Sequence, residues 1–247
     1  MMLTDERKAE LGDNYLRVLE RIEAARMKRP PETRDMPVTL LAASKTRPAE
    51  DIVYLAEKCG LGLCGENHAQ EFRDKYDAVT AAGCRMDFIG HLQTNKVKYV
   101  VGRAGLIHSL DSVKVAAEID RQAGKLGVVQ DVLVEVNIGG EESKTGIDAA
   151  YLPEFLASVR DFGHLCVRGM MAMTPRCEEK EENRKFFRES YRIFLDFFGK
   201  KSHNIKEGVL SMGMSDSFEV AIEEGATLVR VGSSVFGARD YGTKPSV

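Results

Sequence analysis

Short apolar runs alternate with longer amphipathic segments along most of this 247-residue chain. From Pro37 onward eight runs read as strands: Val38 to Ala43, Leu61 to Cys64, Met86 to Ile89, Leu106 to Ser109, Val132 to Asn137, Leu165 to Met171, Gly208 to Ser211 and Thr227 to Val231. Segments with helical periodicity separate them, the alternation expected of a parallel sheet wrapped by helices. Eight such units in a domain-sized chain predict an α/β fold closed as a (β/α)8 TIM barrel rather than an open sheet. Ahead of them Leu11, Tyr15, Val18, Leu19 and Ile22 recur at helical spacing among charged residues. Thr4 to Lys28 is therefore read as an extra N-terminal amphipathic helix, stopped by Pro30 and Pro31. One domain is expected: residues 1–36 form the N-terminal helix and connection, 37–239 the barrel, and 240–247 a polar tail. The charge run Glu178 to Arg188 is expected to continue as the solvated face of the helix before the seventh strand.

Barrel enzymes carry their reactive residues at the C-terminal ends of the strands. The first run ends in Ala43-Ser44-Lys45-Thr46-Arg47-Pro48, the second in Gly65-Glu66-Asn67-His68 and the third in Gly90-His91-Leu92-Gln93. The fifth ends in Asn137, the seventh in Ser211-Met212-Gly213-Met214-Ser215 and the eighth in Gly232-Ser233-Ser234. At the position of Lys45, desolvation and cationic neighbours can lower an ammonium pKa toward the neutral amine that imine formation requires. A solvated lysine at a strand end is the competing reading. The turns after the seventh and eighth strands commonly hold a phosphate in this fold. Ser211, Gly213 and Ser215 offer hydroxyls and backbone N–H groups, Gly232 permits close approach, and Ser233 and Ser234 could open a helix toward an anion. Each turn alone is more often an ordinary loop or cap; the signal lies in having both. Alternation along Thr227 to Gly232 puts Leu228, Arg230 and Gly232 on one face and the β-branched residues on the other. Arg230 then points into the barrel, where it needs a carboxylate such as Glu135, near Asn137 on the fifth strand, or an acceptor on a ligand. Both remain open.

Composition narrows the ligand class. A hydrophobic content of 43% suffices for one core, and a formal charge of −3 shows no basic excess, so neither nucleic acid nor an anionic membrane is an expected partner. No stretch approaches the roughly 20 apolar residues of a membrane span, and the charged start at Asp5 to Lys8 lacks a signal peptide's apolar run. A cytoplasmic protein with a small-molecule ligand is expected. The five cysteines (Cys59, Cys64, Cys84, Cys166 and Cys177) have no CxxC spacing and no close His pair, so they are read as reduced thiols and no metal site is expected. Gly139 to Gly146 superficially resembles a phosphate-binding loop, but it lacks that motif's glycines and Glu141 and Glu142 would repel phosphate; it is read as a loop, a candidate lid. His68, His91 and His108 have no visible orienting residue and are given hydrogen-bonding roles. The pairs Met170-Met171 and Met212-Met214 pack either the barrel mouth or the flat face of a ligand.

At these residues the sequence resembles the pyridoxal-phosphate homeostasis proteins, single-barrel relatives of the alanine racemase N-terminal domain. The resemblance covers nearly the whole chain. It is carried by Ala43-Ser-Lys-Thr-Arg-Pro48, Gly65-Glu-Asn67, Phe88-Ile-Gly-His-Leu-Gln-Thr-Asn-Lys96, Arg168-Gly-Met-Met171, Ser211-Met-Gly-Met-Ser-Asp216 and Val229 to Arg239. It implies that pyridoxal 5′-phosphate is held as a reversible aldimine on Lys45, that the turns around Ser211 to Ser215 and Gly232 to Ser233 hold the phosphate, and that Arg230 faces the pyridine nitrogen. Asn67, Met171, Met212 and Gly213 complete the implied cofactor set. Ser233 stands where threonine is common, which keeps the hydroxyl, and His68 where tyrosine is common, which alters contacts at the mouth. An arginine at the ring nitrogen disfavours the protonated pyridinium that makes the cofactor a strong electron sink. Racemisation needs a second acid–base group, which alanine racemase draws from a further domain and a partner subunit, and 247 residues leave no room for that domain. The resemblance thus implies a role in intracellular vitamin B6 homeostasis without dedicated turnover. It also implies transfer to apo-forms of pyridoxal-phosphate enzymes, and with that further domain missing the chain is expected to be a monomer. The alternatives are a pyridoxal-phosphate-dependent amino-acid racemase and, less favoured because it leaves Arg230 unexplained, a Schiff-base aldolase.

Overall fold

The computed structural model describes residues 3–140, 145–175, 177–198 and 205–238, with only the backbone of 205–207. Thr4 caps the first helix, its hydroxyl accepting from Arg7 N at 3.2 Å, and α1 runs Asp5–Arg26. A short helix α2 (Pro31–Arg34) follows, and then the barrel begins with β1 (Thr39–Ala43). In chain order the remaining elements are α3 (Ala49–Tyr54, extended by a π turn over Leu55–Cys59), β2 (Leu63–Glu66), α4 (Ala69–Ala81), β3 (Arg85–Phe88), a 3-10 turn (Thr94–Tyr99) and β4 (Ile107–Leu110). Next come α5 (Val113–Leu126), β5 (Gln130–Asn137), the two-residue strand β6 (Ile147–Asp148), α6 (Leu152–Val159), β7 (Leu165–Met173), α7 (Arg184–Phe198), β8 (Ile205–Ser211), α8 (Phe218–Glu223), β9 (Leu228–Val231) and α9 (Ser233–Phe236).

Eight strands close in the order β1-β2-β3-β4-β5-β7-β8-β9, every neighbouring pair parallel, and β9 returns to β1 with Ala42 opposite Val231. This is the expected barrel with its extra N-terminal helix. β6 is an addition, pairing with the end of β5 outside the ring. Two boundaries differ from expectation in ways that matter. Gly60, at φ +81°, ends the helix before β2 and Leu61 N still bonds back to Leu55 O, so the strand starts later and runs on through Glu66. β8 starts earlier, at Ile205. The charged run from Glu178 is not merely solvated, because Arg184 bridges Glu181 to Glu223 and Glu224 and so fastens α7 to α8. The expected polar tail, 240–247, and residues 141–144 of the candidate lid lie outside the described residues.

Alternation along each strand separates two apolar layers. Leu41, Leu63 and Leu228, and separately Leu106, Leu133 and Met171, fill the lumen, whereas Ala42, Met86, Val134, Val229 and Val231 belong to the larger core under the helices. α1 joins that outer core through Leu11, Tyr15, Val18 and Ile22 and packs on α8 and α9. Among the described residues no helix is long and apolar enough to cross a membrane.

Candidate functional site

β9 lies beside β1, so the turn that follows β9 is built against the chain that leads to Lys45. A Cβ on Gly232 would sit 3.1 Å from Ala43 O, two residues before Lys45. Ser215, in the turn after β8, joins this corner: its hydroxyl oxygen accepts from Gly232 N at 3.1 Å and Ser234 N at 3.4 Å. Those amides belong to the opening of α9, where N–H groups have no intrahelical acceptor. The Ser215 O–H remains a donor, and exposed Ser233 opens α9 next to it. Gly213 has φ +88°, and its carbonyl accepts from Arg230 N at 3.1 Å. That backbone bond ties the turn to β9.

The loop carrying Lys45 rests on a buried polar cluster on the helix side of the barrel. Ser44, one step beyond the lumen-facing Ala43, gives its hydroxyl to Glu66 Oε1 at 2.7 Å. Lys75, from α4, bonds Glu66 Oε1 at 2.8 Å, Glu71 Oε2 at 3.0 Å and Ser44 O at 3.2 Å. Glu71 also accepts from Thr46 N at 2.8 Å, holding a β-branched residue at φ +65° immediately after Lys45. Lys45, in the turn that follows β1, is thus flanked on both sides by anchored residues. Burial pushes the Glu66 carboxyl above its ordinary range, against the pull of Lys75 and Ser44. Burial also opposes ionisation of Glu71, but its bonds from Lys75 and Thr46 N hold it below the usual range.

Inside the lumen, Arg230 Nη1 donates to Ser211 Oγ at 2.7 Å and Nη2 to Ala172 O at 3.4 Å. It makes no direct ion pair with Glu135, whose carboxylate instead accepts from Thr145 Oγ1 at 2.5 Å. Burial drives the Arg230 guanidinium down to about 10, with only the more distant charge of Glu135 opposing, and lifts the Glu135 carboxyl above its ordinary range. Ser211 is fully buried and its oxygen also meets His108 Nδ1 at 3.2 Å, while His108 Nε2 meets Asp87 Oδ2 at 3.2 Å. The partners of the Ser211 hydroxyl are therefore Arg230 and His108, inside the barrel. The next residue faces the opposite way: Met212 is buried in the helix-side core and its N–H is used by Leu228 O at 3.1 Å. Met171 lines the lumen, whereas Met214 is exposed.

Asn67, just past β2, approaches so close to Gly90 that a Cβ there would fall 2.0 Å from Asn67 O. The Oδ1 of Asn67 is buried with no hydrogen-bond partner. An orphaned amide oxygen of this kind costs free energy unless a ligand or water answers it. Residues capable of holding a phosphorylated, ring-bearing aldehyde are therefore gathered at one barrel end: an amine at Lys45, a polar turn at Ser215 and Gly232, a buried guanidinium with donors to spare, and an unanswered amide at Asn67.

Reading the strand ends missed four residues that matter. Lys75 and Glu71 sit on α4, and Asp87 and Asp111 each answer a histidine: Asp87 meets His108, and Asp111 Oδ2 lies 3.0 Å from His91 Nδ1. Asp87 did carry a signal, being a charge at a lumen-facing position of an otherwise apolar run.

The alanine racemase N-terminal domain family model matches residues 33–240. A pyridoxal phosphate homeostasis protein of Aquifex aeolicus (strain VF5) is 46% identical over 202 residues, covering 82% of this chain and 87% of that protein. One of Escherichia coli (strain K12) is 36% identical over 240 residues, covering 95% and 99%. Among solved structures, PipY of Synechococcus elongatus PCC7942 with PLP bound superposes with a TM-score of 0.75 at 30% identity, covering 89% of this chain and 100% of that one. With most of both chains matched at these identities, this chain belongs to the pyridoxal phosphate homeostasis protein family, within the wider alanine racemase N-terminal domain family.

Proposed function

We propose that this chain binds pyridoxal 5′-phosphate on Lys45 and acts in vitamin B6 homeostasis, holding the cofactor reversibly for release to apo-enzymes. When bound, the cofactor supplies an aldehyde that a lysine amine captures and gives up again. The observation that carries the reading is the adjacency of β1 and β9, which sets Lys45 beside the Gly232 turn that Ser215 completes. Ser215 and the backbone of Gly213, Gly232 and Ser233 hold the phosphate; Arg230, steadied by Ser211, faces the ring nitrogen; Asn67 and Met171 contact the ring. Met212 contributes through its backbone position alone. Residues 37–239 make up the binding unit, as a cytoplasmic monomer. Borohydride reduction of the loaded protein followed by peptide mapping is expected to place the adduct on Lys45, and Lys45→Ala is expected to abolish it. An adduct on Lys96 or Lys144 instead would overturn the assignment.

One observation favours the racemase alternative: Asp111 orients His91 at the mouth, as an acid–base imidazole requires. Steady isotope exchange at the Cα of an amino acid, lost in both Lys45→Ala and His91→Gln, would establish it over a holding role.

A further inference from the structure

The four buried side chains Asp87, His108, Ser211 and Arg230 form one continuous hydrogen-bonded chain across the lumen, from β3 through β4 and β8 to β9. A guanidinium can only donate and a carboxylate can only accept, which fixes the proton at each end of the chain. Arg230 donates to the Ser211 oxygen. At the other end His108 donates its Nε2 proton to Asp87, and with the ring neutral its Nδ1 can only accept, which leaves the Ser211 O–H to donate to it. Moving the proton of the neutral imidazole to Nδ1 would turn a bare Nε2 toward the Asp87 carboxylate, two acceptors at one contact.

We propose that Asp87 and His108 are positioning residues for Arg230: through Ser211 they fix the direction of this chain, so that the guanidinium presents N–H donors to the cofactor ring nitrogen and keeps that nitrogen unprotonated. This rests on the cofactor reading above. Charges around His108 agree with it. Asp87 on β3 favours the imidazolium, while Arg85 on β3 and Arg230 on β9 oppose it, and complete burial prevails, holding His108 neutral below its ordinary range. Arg85 also closes the far end, its Nε 3.2 Å from Asp87 Oδ1 and Nη2 3.2 Å from Oδ2. The negative charge of Asp87 is thereby kept two hydrogen-bonded groups away from Arg230. A carboxylate placed directly on the guanidinium would compete with the ring nitrogen for its donors.

A second consequence separates this role from simple packing. The Ser211 proton is committed to His108, so Ser211 has none to give to a phosphate.

Two measurements test the chain. In the cofactor-free protein, long-range 1H–15N NMR should show a neutral His108 with its proton on Nε2. A proton on Nδ1, or an imidazolium at neutral pH, would overturn the proposal. In the loaded protein, pyridoxal 5′-phosphate labelled with 15N in the ring reports the ring nitrogen directly. His108→Gln, whose amide can accept from Ser211 and donate to Asp87, should keep the unprotonated signal and near-normal affinity. His108→Leu, matched to it for folding by thermal melting, should shift the signal toward the protonated form and weaken retention by about 5- to 100-fold, because the Ser211 O–H loses its acceptor and Asp87 its link to the chain. A wild-type ring signal and affinity in His108→Leu would overturn the proposal. Failure of the cofactor reading is distinguishable, because it shows as a reduced adduct mapped away from Lys45 whatever the tautomer of His108.

Discussion

Replacing Lys75 with methionine removes the ammonium from between two carboxylates while keeping a side chain of similar length. Glu66 has a side chain with 0% exposure and, among the described residues, is answered by Lys75 and by the Ser44 hydroxyl at 2.7 Å. Breaking one side of a buried pair typically costs about 3–5 kcal/mol, since the remaining charge must stay unpaired or take up a proton. Lys75 itself keeps 11% of its exposure, and Glu66 is already biased toward its protonated form by burial, so the lower end, about 3 kcal/mol, is expected. For a domain of this length that corresponds to a fall in Tm of roughly 6–12 °C. The double variant Lys75→Met/Glu66→Gln removes both charges and leaves an amide that can still accept from Ser44, and should recover at least about 1 kcal/mol relative to the sum of the single changes. Urea melts of the four proteins at neutral pH supply the cycle. Because Glu71 would lose its Lys75 bond while holding Thr46 N, cofactor retention should also fall at temperatures where the single variant is fully folded. A Lys75→Met protein within about 0.5 kcal/mol of the parent, or strict additivity in the cycle, would refute the argument that this cluster supports the Lys45 loop.

Burial lowers the His108 pKa in the folded protein below the 6.5 of the free side chain, so the unfolded chain binds more protons between those two values and stability rises with pH there. This contribution is complete above pH 6.5 and is lost as pH falls below it, by up to about 1.4 kcal/mol per pH unit; His108→Gln should flatten that part of the stability profile, and an unchanged slope would count against a neutral buried imidazole. Gly213→Ala should cost about 2–4 kcal/mol, because its φ of +88° strains any side chain and the new Cβ would lie 2.6 Å from Ala221 Cβ. Thermal melting checks this, and a Tm within about 2 °C of the parent would show that the turn shifts freely. Ser215→Ala should lower the stability of the cofactor-free protein by about 1–2 kcal/mol, since Gly232 N and Ser234 N lose their common acceptor, and should also speed release of cofactor; a change in release without any change in melting would detach the serine from α9.

The lumen face of β9 could be read directly from Leu228, Arg230 and Gly232, because alternation with β-branched Val229 and Val231 leaves one way to bury that strand. The end of β2 was less visible. Leu61 begins the apolar run, but Gly60 in the left-handed region and the Leu61 bond to Leu55 keep that residue with the preceding helix, so Glu66 enters the strand instead of the loop. Ser211 shows the limit of reading a turn by composition. Its neighbours Gly213 and Ser215 do form a polar turn, yet Ser211 is the last strand residue, and its face, not its type, decides that it meets Arg230. Partners of the buried groups were hidden for a different reason: Lys75 reaches Ser44 across 31 positions and His108 reaches Ser211 across 103, and no periodicity in one segment reports contacts made by closing the barrel.

Among the described residues no buried carboxylate touches the guanidinium at the site. Glu66 is held by Lys75 and Ser44, Asp87 by Arg85 and His108, and Glu135 by Thr145. Arg230 is left with a hydroxyl and a carbonyl, two neutral acceptors, and burial holds its guanidinium down at about 10, so its charge is costly in the empty barrel. A direct Arg230–Glu135 pair would lower that cost in the empty protein and remove most of the reason for a ligand acceptor to bind there. Leaving the guanidinium bonded only to neutral groups does the opposite: part of the stability withheld from the empty barrel becomes available when an acceptor arrives, and so appears as affinity. The same logic explains why His108 and Ser211 stand between Asp87 and Arg230. They carry the orienting effect of a carboxylate across the lumen without delivering its charge, which suits a site that must hold an acceptor firmly while leaving the guanidinium a donor.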